Sequence, residues 1–346
     1  MSNPVAIAVD CMGGDHGAGP IVEGALQALA EHTNGDLRVV LIGDRAEIDP
    51  VVAAHEHDVS DRIQIEHTIE YVKMHASAAE GVRRKDTSIA IGMKLHKEDV
   101  VQGLISPGNT GAVMASAATT LERLPGVLRP AIASLFPNPH SATIVVDVGA
   151  NIECKPQHLV QFAIMGSIFS QFVLKHAHPK VGLLSIGEEA SKGTDLTRAA
   201  NEMLAKESAI DFVGNVEGRD VLSGEYEVVV TDGFVGNIIL KFAESVGPLL
   251  EAKLRHQINT NLFSRFGALL LKPFLRRLQA SLDYAEYGGA PMLGLDGVII
   301  VCHGSSGPRA IKNAVLEAEK AVRNEVALHI REQLEKVQST ESTHAA

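Results

Sequence analysis

The segment VQGLISPGNTGA, residues 101–112, holds in miniature the unit on which the fold is built. An apolar, strand-type run over 101–105 stops at a turn with two glycines, and sequence of helical length follows. Ser106, Asn109 and Thr110 lie where that helix opens, and its first backbone N–H groups have no intrahelical acceptor. The same grammar recurs in DVGAN (147–151), TDGFVGN (231–237) and HGSSG (303–307). Helix N-termini favour anions, because unpaired N–H groups and the helix dipole act together. Four such turns predict a phosphate-type site. In an open parallel sheet the loops at the carboxyl ends of the strands share one edge, which predicts a single cleft.

Short β-branched runs at 5–9, 37–42, 63–65, 143–147, 181–185, 211–213, 227–231 and 298–302 extend the pattern, mostly with helical lengths between them. They predict an α/β fold: a mainly parallel sheet flanked by helices on both faces, in three layers. Residues 1–337 read as a single α/β catalytic unit. The length, beyond the ~250 to 300 residues at which single cores stop growing, also allows two interleaved lobes around a cleft. The closing run QSTESTHAA, residues 338–346, is polar and aperiodic, so a disordered, frayed tail is expected.

Lys and Arg total 31 against 42 Asp and Glu, a net charge of −11 that argues against nucleic acid as a partner. Aromatic residues make up 4% with no Trp, so the core is aliphatic. Three scattered cysteines suit a reducing cytoplasm, and no metal-ligand spacing stands out. No signal peptide is visible at the N-terminus, and no uninterrupted apolar run reaches the ~18 residues needed to span a bilayer.

Residues 252–282 stand apart. They contain six basic residues and no acidic one, interleaved with Leu262, Phe263, Phe266, Leu270 and Phe274. Gly267 and Pro273 are expected to break the segment into helix, bend, helix. A basic amphipathic hairpin over 250–285 is expected to meet anionic lipid, an acidic partner through Arg265, Arg276 and Arg277, or a second subunit.

A phosphate site also needs positive charge, and Lys192 in SIGEEASKGTD is best placed to supply it, just before Gly193; Arg219 and Lys241 are further candidates. Asn109 and Asn237 are the side-chain donors nearest the glycine turns. Asp10, Asp15, Asp147 and Asp232 at strand ends read as caps and turn acceptors more readily than as metal ligands. Neither G-x-G-x-x-G nor a Walker P-loop follows a strand, and no nucleophile elbow is present, which disfavours dinucleotide binding, P-loop ATPase chemistry and covalent catalysis.

Seven stretches together resemble the phosphate acyltransferases of bacterial phospholipid synthesis: AVDCMGGD, SPGNTGA, DVGANIECKP, SIGEEASKG, GNVEGRD, VVVTDGFVGN and YGGAPMLGLDG with HGSS. They run in the family's order over almost the whole chain. The resemblance implies a fold similar to isocitrate and isopropylmalate dehydrogenases and phosphotransacetylases. It implies acylation of inorganic phosphate by long-chain acyl-acyl carrier protein, without a cofactor or metal. It also implies a homodimer, cytoplasmic and peripherally attached to the inner face of the membrane, whose product serves a membrane glycerol-3-phosphate acyltransferase. On the matching motifs, Lys192, Asn237 and Asn109 are the expected catalytic groups. Asp10, Gly13, Gly14, Asp15, Ser106, Gly108, Thr110, Gly111, Asn151, Glu188, Gly193, Asp232, Gly233, Gly236, His303 and Ser305 are expected to line the phosphate and substrate site. A CoA-dependent phosphotransacylase and a non-catalytic carrier- or lipid-binding scaffold are the alternative readings.

Overall fold

The computed structural model describes residues 4–57, 59–260, 262–282 and 287–344, without the side chains of 262, 275–282, 338 and 340–344. Eleven strands form one sheet. They are β1 (Val5–Asp10), β2 (Leu37–Gly43), β3 (Ile63–His67), β4 (Gly103–Ser106), β5 (Ala131–Pro137), β6 (Ala142–Val146), β7 (Lys180–Leu184), β8 (Asp211–Val216), β9 (Val228–Val230), β10 (Ala290–Leu293) and β11 (Val298–Val301). Their spatial order is β3-β2-β1-β4-β11-β10-β5-β6-β9-β7-β8.

Two parallel sets occupy the ends of that order, β3-β2-β1-β4-β11 and β6-β9-β7-β8. Between them β10 runs antiparallel to both β11 and β5, and β5 antiparallel to β6. Three antiparallel pairings in a row leave the two parallel sets pointing in opposite directions. The mainly parallel α/β sheet of the sequence reading is therefore present, but its strand ends do not share one edge. The two strands that cause the reversal, β5 and β10, are also the two that the hydrophobic pattern did not reveal. Each carries proline, Pro137 at the end of β5 and Pro291 inside β10, and proline weakens a strand signal by removing a ladder donor.

Alternation along the strands sorts the core into three apolar clusters. Ile7, Val9, Val39 and Leu41 face α1 (Ala18–Glu31) and α10 (Pro308–Arg323). Ile144, Val146, Val181 and Val228 face α6 (Pro156–Phe172), α7 (Asp195–Leu204) and α11 (Val326–His344). A third cluster spans both halves of the sheet, joining Ala8, Leu104, Val145 and Val229. It is covered by α4 (Ser88–Lys97), α5 (Thr110–Thr120) and the first turns of α8 (Gly233–Ile258). Thus α5 and α8, the helices that follow two of the glycine turns, lie against the same face.

Two boundaries differ from the sequence expectation. The helical excursion begins at Gly233, not near 250, and consists of two helices, α8 and α9 (Leu262–Leu282), with Asn259 as the cap of α8. Gly267 and Pro273 sit inside α9 rather than breaking it. The polar stretch after 337 continues α11 to His344, since it contains no Gly or Pro to stop a helix already anchored at Ile330 and Leu334.

Candidate anion-binding active site

The glycine turns gather into two groups. The first lies at the ends of β1, β4 and β11. Here Ser106 Oγ donates to Asp10 Oδ2 at 2.7 Å and accepts from the Gly108 N–H at 3.1 Å, while Asp10 Oδ1 accepts from the Met12 N–H. Both side chains are fully buried, so they brace the turn rather than meet a ligand. Burial pushes the Asp10 carboxyl above its ordinary range, and the bonds from Ser106 and the Met12 N–H oppose that shift. Gly13 is required by contact: a Cβ there would come within 2.6 Å of the Gly108 backbone, so only glycine lets the two turns touch. Gly14 lies beside the Gly304 carbonyl, which also accepts the Asp15 N–H at 2.8 Å. His303 Nδ1 meets Ser305 Oγ at 2.7 Å.

Asn109 caps α5 with Oδ1 on the Ala112 N–H, and its Nδ2 donates to the carbonyls of Met74 (2.7 Å) and Ala76 (3.0 Å). Both amide hydrogens are thereby used, which corrects the expectation that Asn109 supplies a donor to a reacting oxygen. What remains open at this turn is the backbone of exposed Thr110 and half-buried Gly111, the first residues of α5, whose N–H groups precede any intrahelical acceptor. A cavity of about 300 Å³ lies elsewhere, lined by residues of α3 (Ala78–Arg83), α4 and the second half of α5.

The second group lies at the ends of β6 and β9. The Asp147 carboxylate accepts from the N–H groups of Ile132, Gly149, Ala150 and Asn151 and from Asn151 Nδ2, at 2.6 to 3.2 Å. Asn151 Nδ2 also donates to the Pro130 carbonyl, and the Asn151 carbonyl accepts the Gly233 N–H. Asp232 caps α8 through the N–H groups of Phe234 and Val235. A Cβ on Gly236 would fall 1.9 Å from the Asp147 carbonyl oxygen, so α8 can dock on the 147–151 turn only with glycine there. In this group Asn151, Asp232, Gly233 and Gly236 hold one another, and the N–H groups of Asn151, Gly233 and Gly236 are used within it. Exposed Asn237 remains, its side chain above Gly149.

Beside this second group runs the loop after β7, since Leu183 is in register with Val230. It carries Glu188, Lys192 and Gly193. Arg219 is held by Glu188 (3.3 Å) and Glu217 (3.2 Å), and Lys241 by Glu244 (2.9 Å). Lys192 is exposed and makes no ion pair among the described residues. No hydrogen bond or ion pair joins the two groups among the described residues, so the one-edge, four-turn grip expected from sequence is corrected to two separate constellations.

An apolar stripe leaves the second group along α8: Phe234, Ile238, Phe242, Leu249, Leu250 and Leu254 are exposed. At about 100° per residue, the pairs Lys241–Glu244 and Arg255–Glu251 fall on one flank of that stripe, next to Phe234. By length and composition α8 could cross a membrane, which the sequence reading had not found. On α9, Phe263 (91% exposed), Phe266, Leu270 and Phe274 are exposed, as is Arg265. The side chains of Leu262, Arg276 and Arg277 lie outside the described residues. Sequence reasoning did not single out Asn201 or Asn215 as site residues; Asn215, in the GNVEGRD motif, is a polar residue inside a strand, and that was the available signal.

A family model described as "Fatty acid synthesis protein" matches residues 5–329. A phosphate acyltransferase from Cyanothece sp. is 46% identical over 328 residues, covering 94% of each chain. One from Syntrophotalea carbinolica is 43% identical over 327 residues, covering 94% of this chain and 93% of its own. Among solved structures, a phosphotransacetylase from Streptococcus pyogenes aligns with a TM-score of 0.60 at 17% identity, over 92% of this chain and 94% of that one. The EutD phosphotransacetylase from Staphylococcus aureus aligns at 0.59 with 15% identity, over the same shares, a likeness of fold. With so much of its length matched at such identity, the chain belongs to the phosphate acyltransferase family and is an acyltransferase that uses phosphate.

Proposed function

We propose that the chain makes acyl phosphate by transferring a long acyl group from an acyl carrier protein thioester to inorganic phosphate, the first step feeding phospholipid synthesis. The observation that carries this reading is the open N-terminus of α5, where Thr110 and Gly111 offer backbone donors beside a braced, glycine-lined turn. A phosphate oxygen attacks the thioester carbonyl carbon, the C–S bond breaks, and the proton of hydrogenphosphate ends on the carrier thiol. Catalysis comes mainly from holding the two reactants together. Asn237 is the side-chain donor left for the developing oxyanion, and Lys192 supplies a point charge.

Two features support bringing the groups to one substrate. Their helices α5 and α8 cover the same apolar cluster. A sheet twist of about 20 to 25° per strand also turns the reversed strand sets away from diametrically opposite placement. The exposed stripe of α8 and α9 suits an acyl chain, a bilayer surface or a second copy of the chain, and Arg265 beside it suits anionic lipid or an acidic carrier. In this reading the enzyme is a cytoplasmic homodimer, peripheral to the inner face of the membrane, and passes its product to a membrane glycerol-3-phosphate acyltransferase. Phosphate is the nucleophile, so no cofactor enters the reaction.

Purified protein, phosphate and a long-chain acyl carrier are expected to yield a product trapped by hydroxylamine. Absence of trapped product ends the reading. Faster turnover of acyl-CoA than of acyl carrier would move it to a CoA-dependent phosphotransacylase.

A further inference from the structure

We infer that Asn215 and Asn201 are positioning residues for Lys192, an inference that rests on the proposed role of that lysine. The loop after β7 is exposed at Ile186, Glu188, Glu189, Ala190, Ser191 and Lys192, so side-chain burial does little to fix it. Its middle is tied to the sheet through one carbonyl. The Glu189 carbonyl accepts the Lys192 N–H at 2.9 Å, closing a turn, and accepts Asn215 Nδ2 at 2.9 Å from the neighbouring strand β8.

Asn215 is itself oriented. Its Oδ1 accepts from Asn201 Nδ2 at 2.9 Å, and Asn201 projects from α7, the helix into which the loop runs. Both asparagines are buried, at 7% and 8% exposure. Turning the Asn215 amide over would set its oxygen against the Glu189 carbonyl and its NH2 against that of Asn201, so one orientation is selected. A buried amide pair in a low dielectric is costly to leave half-made, which makes it a firm anchor for an exposed turn. The far side of the loop is held by Arg198, which donates to the Gly193 carbonyl at 2.8 Å, and by Ser185 Oγ on the Lys192 carbonyl. The backbone of Lys192 is thus fixed on both sides while its ammonium group is left without an ion pair. That combination suits a cation that must meet an anionic substrate at a set place.

The test is a double-mutant cycle on acyl phosphate formation, with inorganic phosphate as the varied substrate. Asn215→Ala is expected to lower kcat/KM for phosphate about tenfold, and Asn201→Leu, which leaves Asn215 its donor but frees its orientation, by less. In a Lys192→Ala background both substitutions are expected to cost nothing further, because there is no ammonium left to position. Equal losses in both backgrounds would overturn the inference, since a merely structural role does not depend on the lysine. Full activity of Lys192→Ala alone would instead remove the role of the lysine, a failure visible before any asparagine is changed. If Asn215→Ala does not fold, the cycle is run with Asn201→Leu and read the same way.

Discussion

The turns before α5 and α8 are spelled much alike, SPGNTG and TDGFVG, yet their backbone N–H groups have different destinations. Before α8 they go to Val146, Asn151 and Asp232, while Asp147 gathers the N–H groups of the adjoining 149–151 turn, and the two turns form a structural knot. Before α5, Asn109 caps the helix once and uses its amide group to hold the 74–76 loop, which leaves the first helical N–H groups toward solvent. A glycine turn at a helix start therefore keeps donors for an anion only when no neighbouring acceptor has claimed them. The buried carboxylates sharpen the contrast: Asp147 accepts from five N–H donors, whereas Glu317, behind the first group on α10, has an Oε1 without a hydrogen-bond partner.

Asp147→Ala tests the structural knot most severely. Four backbone amides lose their acceptor, so a stability loss on the order of 4 kcal/mol is expected, roughly 10 °C in melting temperature. An unchanged melting curve would mean that the two turns do not differ as described.

Glu317 gives the pH test. Burial pushes its carboxyl up to about 8, so the native state keeps a proton that the unfolded chain releases near its ordinary value of 4.5. The stability this proton provides is fully present below pH 4.5 and is lost as pH rises through 8. Glu317→Gln, which stays neutral, is expected to match the wild type at pH 4.5 and exceed it by several kcal/mol at pH 9 in denaturant titrations. Parallel pH profiles for the two proteins would contradict the burial.

For the first turn, Asn109→Ala removes a cap and two loop bonds, and a loss of about 1 kcal/mol is expected together with a higher KM for phosphate. An Asn109→Asp variant keeps the cap but not the donors, so it should restore stability more fully than KM. The smallest change expected is at Arg219, whose partners Glu188 and Glu217 are reached across open solvent. Arg219→Gln should alter stability by less than about 1 kcal/mol and leave phosphate turnover near wild type. A large loss of turnover there would show that Lys192 is not the loop's working cation.

Much of this was legible in the chain. The runs that became β1, β2 and β7 were readable because parallel strands buried on both faces are near-continuous in apolar, β-branched residues. Lys192 and the glycine turns were readable as residue types. The destination of each N–H was not, because a carboxylate such as Asp147 looks the same in sequence whether it faces a substrate or curls back on its own turn.

Local sequence thus set the strand-turn-helix units, the capped helix start after the SPGNTGA turn and the amphipathic character of residues 252–282. It did so because hydrophobic period, capping residues and glycine act within a few residues of one another. The pairing of β5 with β10, which sets the local pairs β5–β6 and β10–β11 side by side and so separates the turns into two groups, came from partners more than a hundred residues apart. Strand direction depends on which edges meet once the core has formed, and nothing in a short proline-bearing run specifies its neighbour.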